Sequence, residues 1–246
     1  GGTDTLVNIE HILASNFDDV LVGSSNADRL IGLDGDDILV GGDGDDDLIG
    51  GAGNDTIYTG DNTGWSDYVD TGTGFDTVNF GTGHGWYELD YTELTDGIDI
   101  DLTFGIVDKG LDGLDTLIGL DNIDYEFGGL GIGGSTGDDR YFGLSSSDGW
   151  VQFRGGAGDD TIYGGVGFER IDYRDAAIGV TVNFAIGLTT EDGFGGTDTF
   201  FDVDEVRGSS YDDTLTGSAG DDRFIGLAGN DVIDGGAGTG DEVRYD

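Results

Sequence analysis

The chain has 246 residues, 51 of them Gly, with 52 acidic side chains against 9 Lys and Arg and a formal net charge of −43. That charge excludes a nucleic-acid partner, which needs a basic face, and opposes any compact state unless cations sit among the carboxylates. Cys is absent and no apolar run reaches membrane-spanning length, so disulfides, thiolate metal sites and a spanning helix are excluded.

Such a composition ordinarily gives disorder, yet the apolar residues are regularly placed. From residue 14 to 58 the sequence divides every nine residues into ASNFDDVLV, GSSNADRLI, GLDGDDILV, GGDGDDDLI and GGAGNDTIY. The sixth position holds Asp19, Asp28, Asp37, Asp46 and Asp55, and the eighth holds Leu21, Leu30, Leu39, Leu48 and Ile57. The spacing breaks after Tyr58 and resumes at Asp67 and Asp76. LDYTELTDGIDIDLTFG (89–105) then alternates like a strand. A second array follows as GSTGDDRYF, GLSSSDGWV, GGAGDDTIY and GGVGFERID, interrupted at Gln152 to Arg154, with sixth positions Asp139, Asp148, Asp160 and Glu169. IDYRDAAIGVTVNFAIG (171–187) repeats the earlier alternating stretch, and residues 195–238 align without gaps to 1–44. The last array, GSSYDDTLT, GSAGDDRFI, GLAGNDVID and GGAGTGDEV, supplies Asp213, Asp222, Asp231 and Asp241.

A long period thus overlies the short one, with units at 1–86, 87–168 and 169–246, the outer two incomplete, expected to form one continuous solenoid. With no initial Met and both ends falling inside a unit, the chain reads as a window on a longer tandem array. Gly every few residues rules out helices, runs such as DILV and DTIY predict strands of about three residues, and the Gly/Asp hexads predict turns. The expected fold class is all-β.

The nonapeptides match GGxGxDxUx, where U is a large apolar residue. This pattern resembles the repeats-in-toxin (RTX), or haemolysin-type, calcium-binding repeats. The resemblance implies a parallel β-roll or β-solenoid with two nonapeptides per turn, interspersed with wider β-coils at the connecting stretches. It also implies multiple calcium ions as structural cofactors between successive turns. The implied carboxylate ligands are Asp19, Asp28, Asp37, Asp46, Asp55, Asp67, Asp76, Asp139, Asp148, Asp160, Glu169, Asp213, Asp222, Asp231 and Asp241. Carbonyls of second and fourth positions join them, among them Gly35, Gly42, Gly44, Gly51, Gly53, Gly156, Gly158, Gly229 and Gly236.

The chemistry agrees with that implication. Calcium takes six to eight oxygens, which carboxylates and carbonyls supply, and glycine lets a six-residue turn curl to aim them. With 18 residues per turn, Asp19, Asp37 and Asp55 form one ladder and Asp28 and Asp46 another. An ion between stacked carboxylates turns repulsion into coordination. Inward eighth-position side chains make a core too thin, without metal, to offset ordering entropy of ~1–2 kcal/mol per residue. Three departures predict weaker sites: Glu169 for Asp, Asn26 for Gly, and Tyr87 at a sixth position.

Chemistry beyond metal binding finds no support. HExxH and GxSxG are absent, His11 and His84 are the only histidines, and Ser145 to Ser147 and Ser209–Ser210 lie in repeat turns. GGLGIGG (128–134) lacks the βαβ context of a nucleotide loop. The chain is not expected to be an enzyme. The expected function is that of a calcium-dependent structural repeat segment in a secreted or cell-surface scaffold of surface-layer, filament or adhesin type. Type I secretion is implied by the resemblance, with folding outside the cell. Expected partners are calcium ions and, through self-association, cell-surface or matrix assemblies; membrane insertion is not expected. The alternative is a folding and secretion module of an exported enzyme or toxin. A third reading is a carbohydrate-binding surface using Trp65, Trp86 and Trp150, each of which follows a Gly.

Overall fold

The computed structural model describes residues 9–61, 66–83, 85–123, 128–146 and 149–245. Asp148, His84 and Trp65 lie outside the described residues. A run such as Ile38-Leu39-Val40 is too short to bury two faces, so it buries one: Leu39 is fully covered while Ile38 is 39% exposed. Twenty-five such strands, β1 to β25 in chain order, make up the described residues, with no α-helix and only two 3-10 turns, Gly110–Asp112 and Leu120–Asn122. The chain divides into two compact units, residues 1–89 with 112–128 and residues 90–111 with 129–246.

In the first unit, one parallel sheet runs β1 (His11–Leu13), β3 (Arg29–Asp34), β5 (Asp47–Ala52), β7 (Ser66–Thr73) and β9 (Trp86–Asp90). Its companion runs β2 (Val20–Val22), β4 (Ile38–Val40), β6 (Thr56–Gly60), β8 (Thr77–Phe80) and β12 (Leu114–Ile118), again parallel. His11 pairs with Arg29 and Arg29 with Asp47, while Val20 pairs with Ile38 and Ile38 with Thr56. The coil is therefore 18 residues, two nonapeptides. Past Tyr58 it widens to 21, with Asp47 opposite Tyr68 and Thr56 opposite Thr77, so the ladder absorbs the break in spacing. Leu30, Leu48, Val69 and Leu89 stack from one sheet against Leu21, Leu39, Ile57, Val78 and Leu117 from the other. Each buried aliphatic side chain contributes about 1.5–3 kcal/mol.

In the second unit, one sheet is parallel throughout: β13 (Gly129–Gly133), β15 (Trp150–Arg154), β17 (Phe168–Asp172), β21 (Glu205–Arg207), β23 (Arg223–Ile225) and β25 (Glu242–Arg244). GGLGIGG thus contributes a buried strand and no loop. The other sheet runs β11 (Ile106–Asp108), β10 (Asp99–Asp101), β14 (Arg140–Phe142), β16 (Thr161–Tyr163), β20 (Asp198–Phe201), β19 (Leu188–Glu191), β18 (Thr181–Asn183), β22 (Thr214–Thr216) and β24 (Val232–Asp234).

The wider coils of the connecting stretches include reversals, because β10–β11, β18–β19 and β19–β20 pair antiparallel. Tight turns reverse the chain there: Asp101 accepts the N–H groups of Thr103 and Phe104 before Gly105 at φ 65°, and Gly187 at φ 63° donates to the Phe184 carbonyl. Strands also outrun three residues. β3 and β5 carry six and β7 eight, because pairing continues into the following turn at Leu33–Gly51–Gly72.

Candidate metal centre: the carboxylate ladders

The sixth-position aspartates stand on successive coils as the 18-residue period requires. Asp19 N–H donates to Asp37 Oδ1 at 2.7 Å, Asp37 N–H to Asp55 Oδ1 at 2.8 Å, and Asp55 N–H to Asp76 Oδ1 at 2.8 Å. On the opposite edge Asp28 donates to Asp46 at 2.9 Å and Asp46 to Asp67 at 3.0 Å. Tyr87 pairs with Asp67 and continues that column with a buried ring. In the second unit Asp139 donates to Asp160 at 2.9 Å, Asp213 to Asp231 at 3.1 Å and Asp222 to Asp241 at 3.1 Å. One oxygen of each receiving carboxylate is thereby committed to the main chain.

The second oxygen divides the sites into two kinds. Where Ser occupies the second position, it caps its own block's carboxylate. Ser15, Ser24, Ser135, Ser209 and Ser218 each donate N–H to Oδ2 of Asp19, Asp28, Asp139, Asp213 and Asp222 at 2.6–2.9 Å, and their hydroxyls bond the same carboxylates. In several blocks where Gly or Leu stands there, a buried oxygen is orphaned, and Asp28 keeps a bare Oδ1 beside its Ser24 cap. Asp37, Asp46, Asp55 and Asp160 have an Oδ2 with no partner, as does Asp67, and Glu169 has neither oxygen paired. A buried unpartnered carboxylate oxygen is costly unless a proton or cation meets it.

Main-chain carbonyls of Gly50, Thr59 and Thr71 lie beside the orphaned oxygens of Asp37, Asp46 and Asp55, and others line the turns. Gly35, Gly42, Gly44, Gly51, Gly53, Gly156, Gly158, Gly229 and Gly236 all have positive φ, from 82° to 144°. Side chains at Gly42 and Gly44 would run into the Ser24 and Asn26 carbonyl oxygens of the preceding coil, so the second- and fourth-position carbonyls face the next turn in columns. First-position glycines serve differently. At Gly32 and Gly50 a Cβ would strike Oδ2 of Asp37 and Asp55, so a bare Cα is what leaves that oxygen its space.

The electrostatics follow from burial among like charges. Burial pushes Asp46 up to about 6 and Asp55 and Asp67 up to about 7, and the neighbouring charges that add to this are all carboxylates. Asp139 rises to about 6, Glu169 and Asp198 to about 7, and Asp160 to about 9, each chiefly by burial. Asp19, half-buried and capped by the Ser15 hydroxyl and N–H, is instead held below the ordinary value.

Orphaned carboxylate oxygens, aligned carbonyls and mutually repelling buried acids suit a hard divalent cation, and calcium prefers this donor set. Among the described residues no three Asp, Glu, His or Cys side chains gather as a metal-binding group, so carbonyls have to supply much of the coordination. At neutral pH, bound calcium would provide the positive charge that these buried acids otherwise lack.

Several residues at these positions are not conspicuous in the repeat pattern. Asp115 and Asp198 top the ladders, accepting from Asp76 at 3.4 Å and from Asp160 at 3.1 Å, and Asp204 accepts the Glu169 N–H at 2.9 Å. Each lies two residues before an inward apolar residue, in DTL, DTF and DEV, the same spacing as in the nonapeptide. Their second oxygens are satisfied from afar in two cases: Thr71 donates to Asp115 at 2.8 Å and Tyr173 to Asp198 at 2.8 Å. Fifth positions form a counter-running ladder, with Asp36 donating to Asp18, Asn54 to Asp36, and Asn230 to Asp212 at 2.8–3.0 Å.

His11 is exposed on β1. Trp86 donates to Glu88 at 2.8 Å, and the Arg170 guanidinium lies 5.1 Å from the Trp150 ring centre. Arg170 and Arg244 pair with the buried Glu205, while Arg174 and Arg207 pair with the buried Asp172. Where the repeats lapse, arginine supplies the compensating charge.

Stacked nonapeptide coils with inward carboxylates define a calcium-type parallel β-solenoid. The repeats belong to the RTX calcium-binding nonapeptide repeat family, four copies of which match at residues 13–48, 40–63, 152–168 and 207–241. No curated protein matches the chain.

Proposed function

We propose that this chain is a structural segment of a secreted or cell-surface scaffold that folds when calcium binds, and that it is exported by type I secretion. The observation that carries the reading is the set of orphaned, buried carboxylate oxygens at Asp37, Asp46, Asp55, Asp67 and Asp160. Such a chain has no stable ion-free fold at neutral pH, so it stays extended where calcium is scarce and folds where it is plentiful. Among the described residues, sixth-position carboxylates on successive coils each give one oxygen to a neighbouring coil's main chain and leave the other for an ion. The scaffold role, of surface-layer, filament or adhesin type, rests on the repeated architecture, whose coils stack through main-chain pairing.

Light scattering of the purified segment across a calcium titration tests the scaffold reading. Association is expected at calcium levels above those that complete folding, reversed by chelator. A segment that folds and stays monomeric at millimolar calcium would instead favour a folding module serving an exported enzyme or toxin.

A further inference from the structure

Two stretches of the chain share one construction. Gly110-Leu-Asp-Gly-Leu-Asp115-Thr and Gly193-Phe-Gly-Gly-Thr-Asp198-Thr each end in a ladder aspartate, and each follows a charged residue, Lys109 in one and Asp192 in the other. Both of those residues are completely buried. A buried ammonium brings its own positive charge to an acidic interior, whereas a buried carboxylate adds to the deficit.

Asp192 is held rigidly. Its Oδ1 accepts the N–H groups of Phe194, Gly195 and Gly196 at 2.8, 2.8 and 2.9 Å, in a turn where Gly193 and Gly195 take φ of 83° and 107°. Its Oδ2 has no partner. A Cβ on Gly196 would stand 2.9 Å from that oxygen and would collide with the Gly158 carbonyl oxygen of the adjoining coil. Two acceptors therefore face one bare Cα.

The neighbouring charge is also negative. Asp160, two residues beyond Gly158, is buried with an unpartnered Oδ2. Asp198 beside it spends both oxygens, one on the Asp160 N–H at 3.1 Å and the other on the Tyr173 hydroxyl at 2.8 Å. Thr189 and Tyr173 share a hydrogen bond of 2.7 Å that closes the far side with hydroxyls. Buried acceptors without donors call for a cation.

We propose that the Asp192 carboxylate and the Gly158 carbonyl, in the negative field of Asp160, hold a calcium ion whose site the nonapeptide pattern alone does not complete. The site fastens the β19–β20 hairpin to the coil that carries β16. It rests on the calcium reading above but requires a ligand, Asp192, that the repeat pattern does not supply. Lys109 marks the alternative solution, a tethered cation at the corresponding point of the other stretch.

Native mass spectrometry of the whole chain in calcium, with hydrogen exchange over residues 188–201, tests this. Asp192→Asn is expected to bind one calcium ion fewer than the parent and to lose calcium-dependent protection of 188–201, while protection at 29–58 is unchanged. Asp192→Lys is expected to bind one ion fewer yet keep that hairpin protected. An Asp192→Asn chain with the parent's ion count and protection overturns the site while leaving the calcium reading intact. Should that variant fail to fold, Asp192→Lys decides: a full ion count overturns the proposal and one ion fewer upholds it. A parent chain that binds no calcium sinks both readings.

Discussion

Gly32 is held by contact and not by backbone conformation. A Cβ there would press on Asp37 Oδ2 and stand 2.5 Å from the Gly50 carbonyl oxygen, which belongs to main chain and cannot swing away. Gly32→Ala is expected to destabilise the calcium-bound fold by about 1–3 kcal/mol, measured by denaturant melts in saturating calcium. Ser209 belongs to the other kind of site, where its hydroxyl bonds Asp213 Oδ1 at 2.7 Å. Ser209→Ala removes that bond and is expected to cost about 1 kcal/mol, read from the same melts.

The raised carboxylates give a pH dependence whose sign can be worked out residue by residue. A carboxyl whose folded pKa exceeds its unfolded value favours the fold while protonated. That stability is fully present below about pH 4 and is lost as pH rises through the folded values. Those values are about 6 for Asp46, about 7 for Asp55 and Asp67, and about 9 for Asp160. In chelator, therefore, circular dichroism is expected to show more β-structure at pH 5 than at pH 8. In calcium the same carboxylates must ionise, so calorimetry near pH 6.5 in two buffers of different ionisation enthalpy should register proton release. Ion binding without proton release would contradict the assignment of these carboxylates as ligands.

Within the arrays, each coil is fastened to the next by two ladders running in opposite senses. At the sixth position the earlier coil donates to the later carboxylate, as Asp37 does to Asp55; at the fifth the later coil donates back, as Asn54 does to Asp36. The position of a coil in its array therefore sets how much a single carboxylate matters. Asp37 receives from Asp19, donates to Asp55 and keeps an orphaned Oδ2, whereas Asp231 receives from Asp213 and is only half-buried. Asp37→Ala is expected to lower calcium affinity more than Asp231→Ala in side-by-side titrations. Equal losses would argue against sharing of ions along the ladder.

At the scale of the whole molecule, a formal charge of −43 is spread over a chain whose buried apolar columns are one side chain deep in the first unit. Four of the nine basic residues are drawn into the Asp172 and Glu205 pairs, and the charges that raise Asp37, Asp46, Asp55 and Asp67 are all acidic. Excess chelator at neutral pH is expected to leave a disordered circular-dichroism spectrum, with calcium restoring the β signal and magnesium restoring little of it. Magnesium demands near-octahedral geometry and sheds water reluctantly, which a wall of carbonyls does not accommodate. A full β spectrum in chelator at neutral pH would remove the link between ion and fold.

The coil length, the pairing of Asp19 with Asp37 and of Asp28 with Asp46, and the inward columns of Leu and Ile were all legible in the sequence, because each follows from a period. A nine-residue repeat with its apolar residue always two beyond its aspartate can bury that residue and stack that carboxylate in only one register. Even the serine caps are written locally, as Ser four residues before Asp in each case. Tertiary structure alone decided the fate of the carboxylate oxygens that no local serine caps. Thr71 reaches Asp115 across 44 residues and Tyr173 reaches Asp198 across 25, and the Asp192 carboxylate and the Gly158 carbonyl meet at the bare Cα of Gly196. Spacing places a carboxylate, but what surrounds its second oxygen depends on which distant groups share that small volume, and no repeat period specifies them.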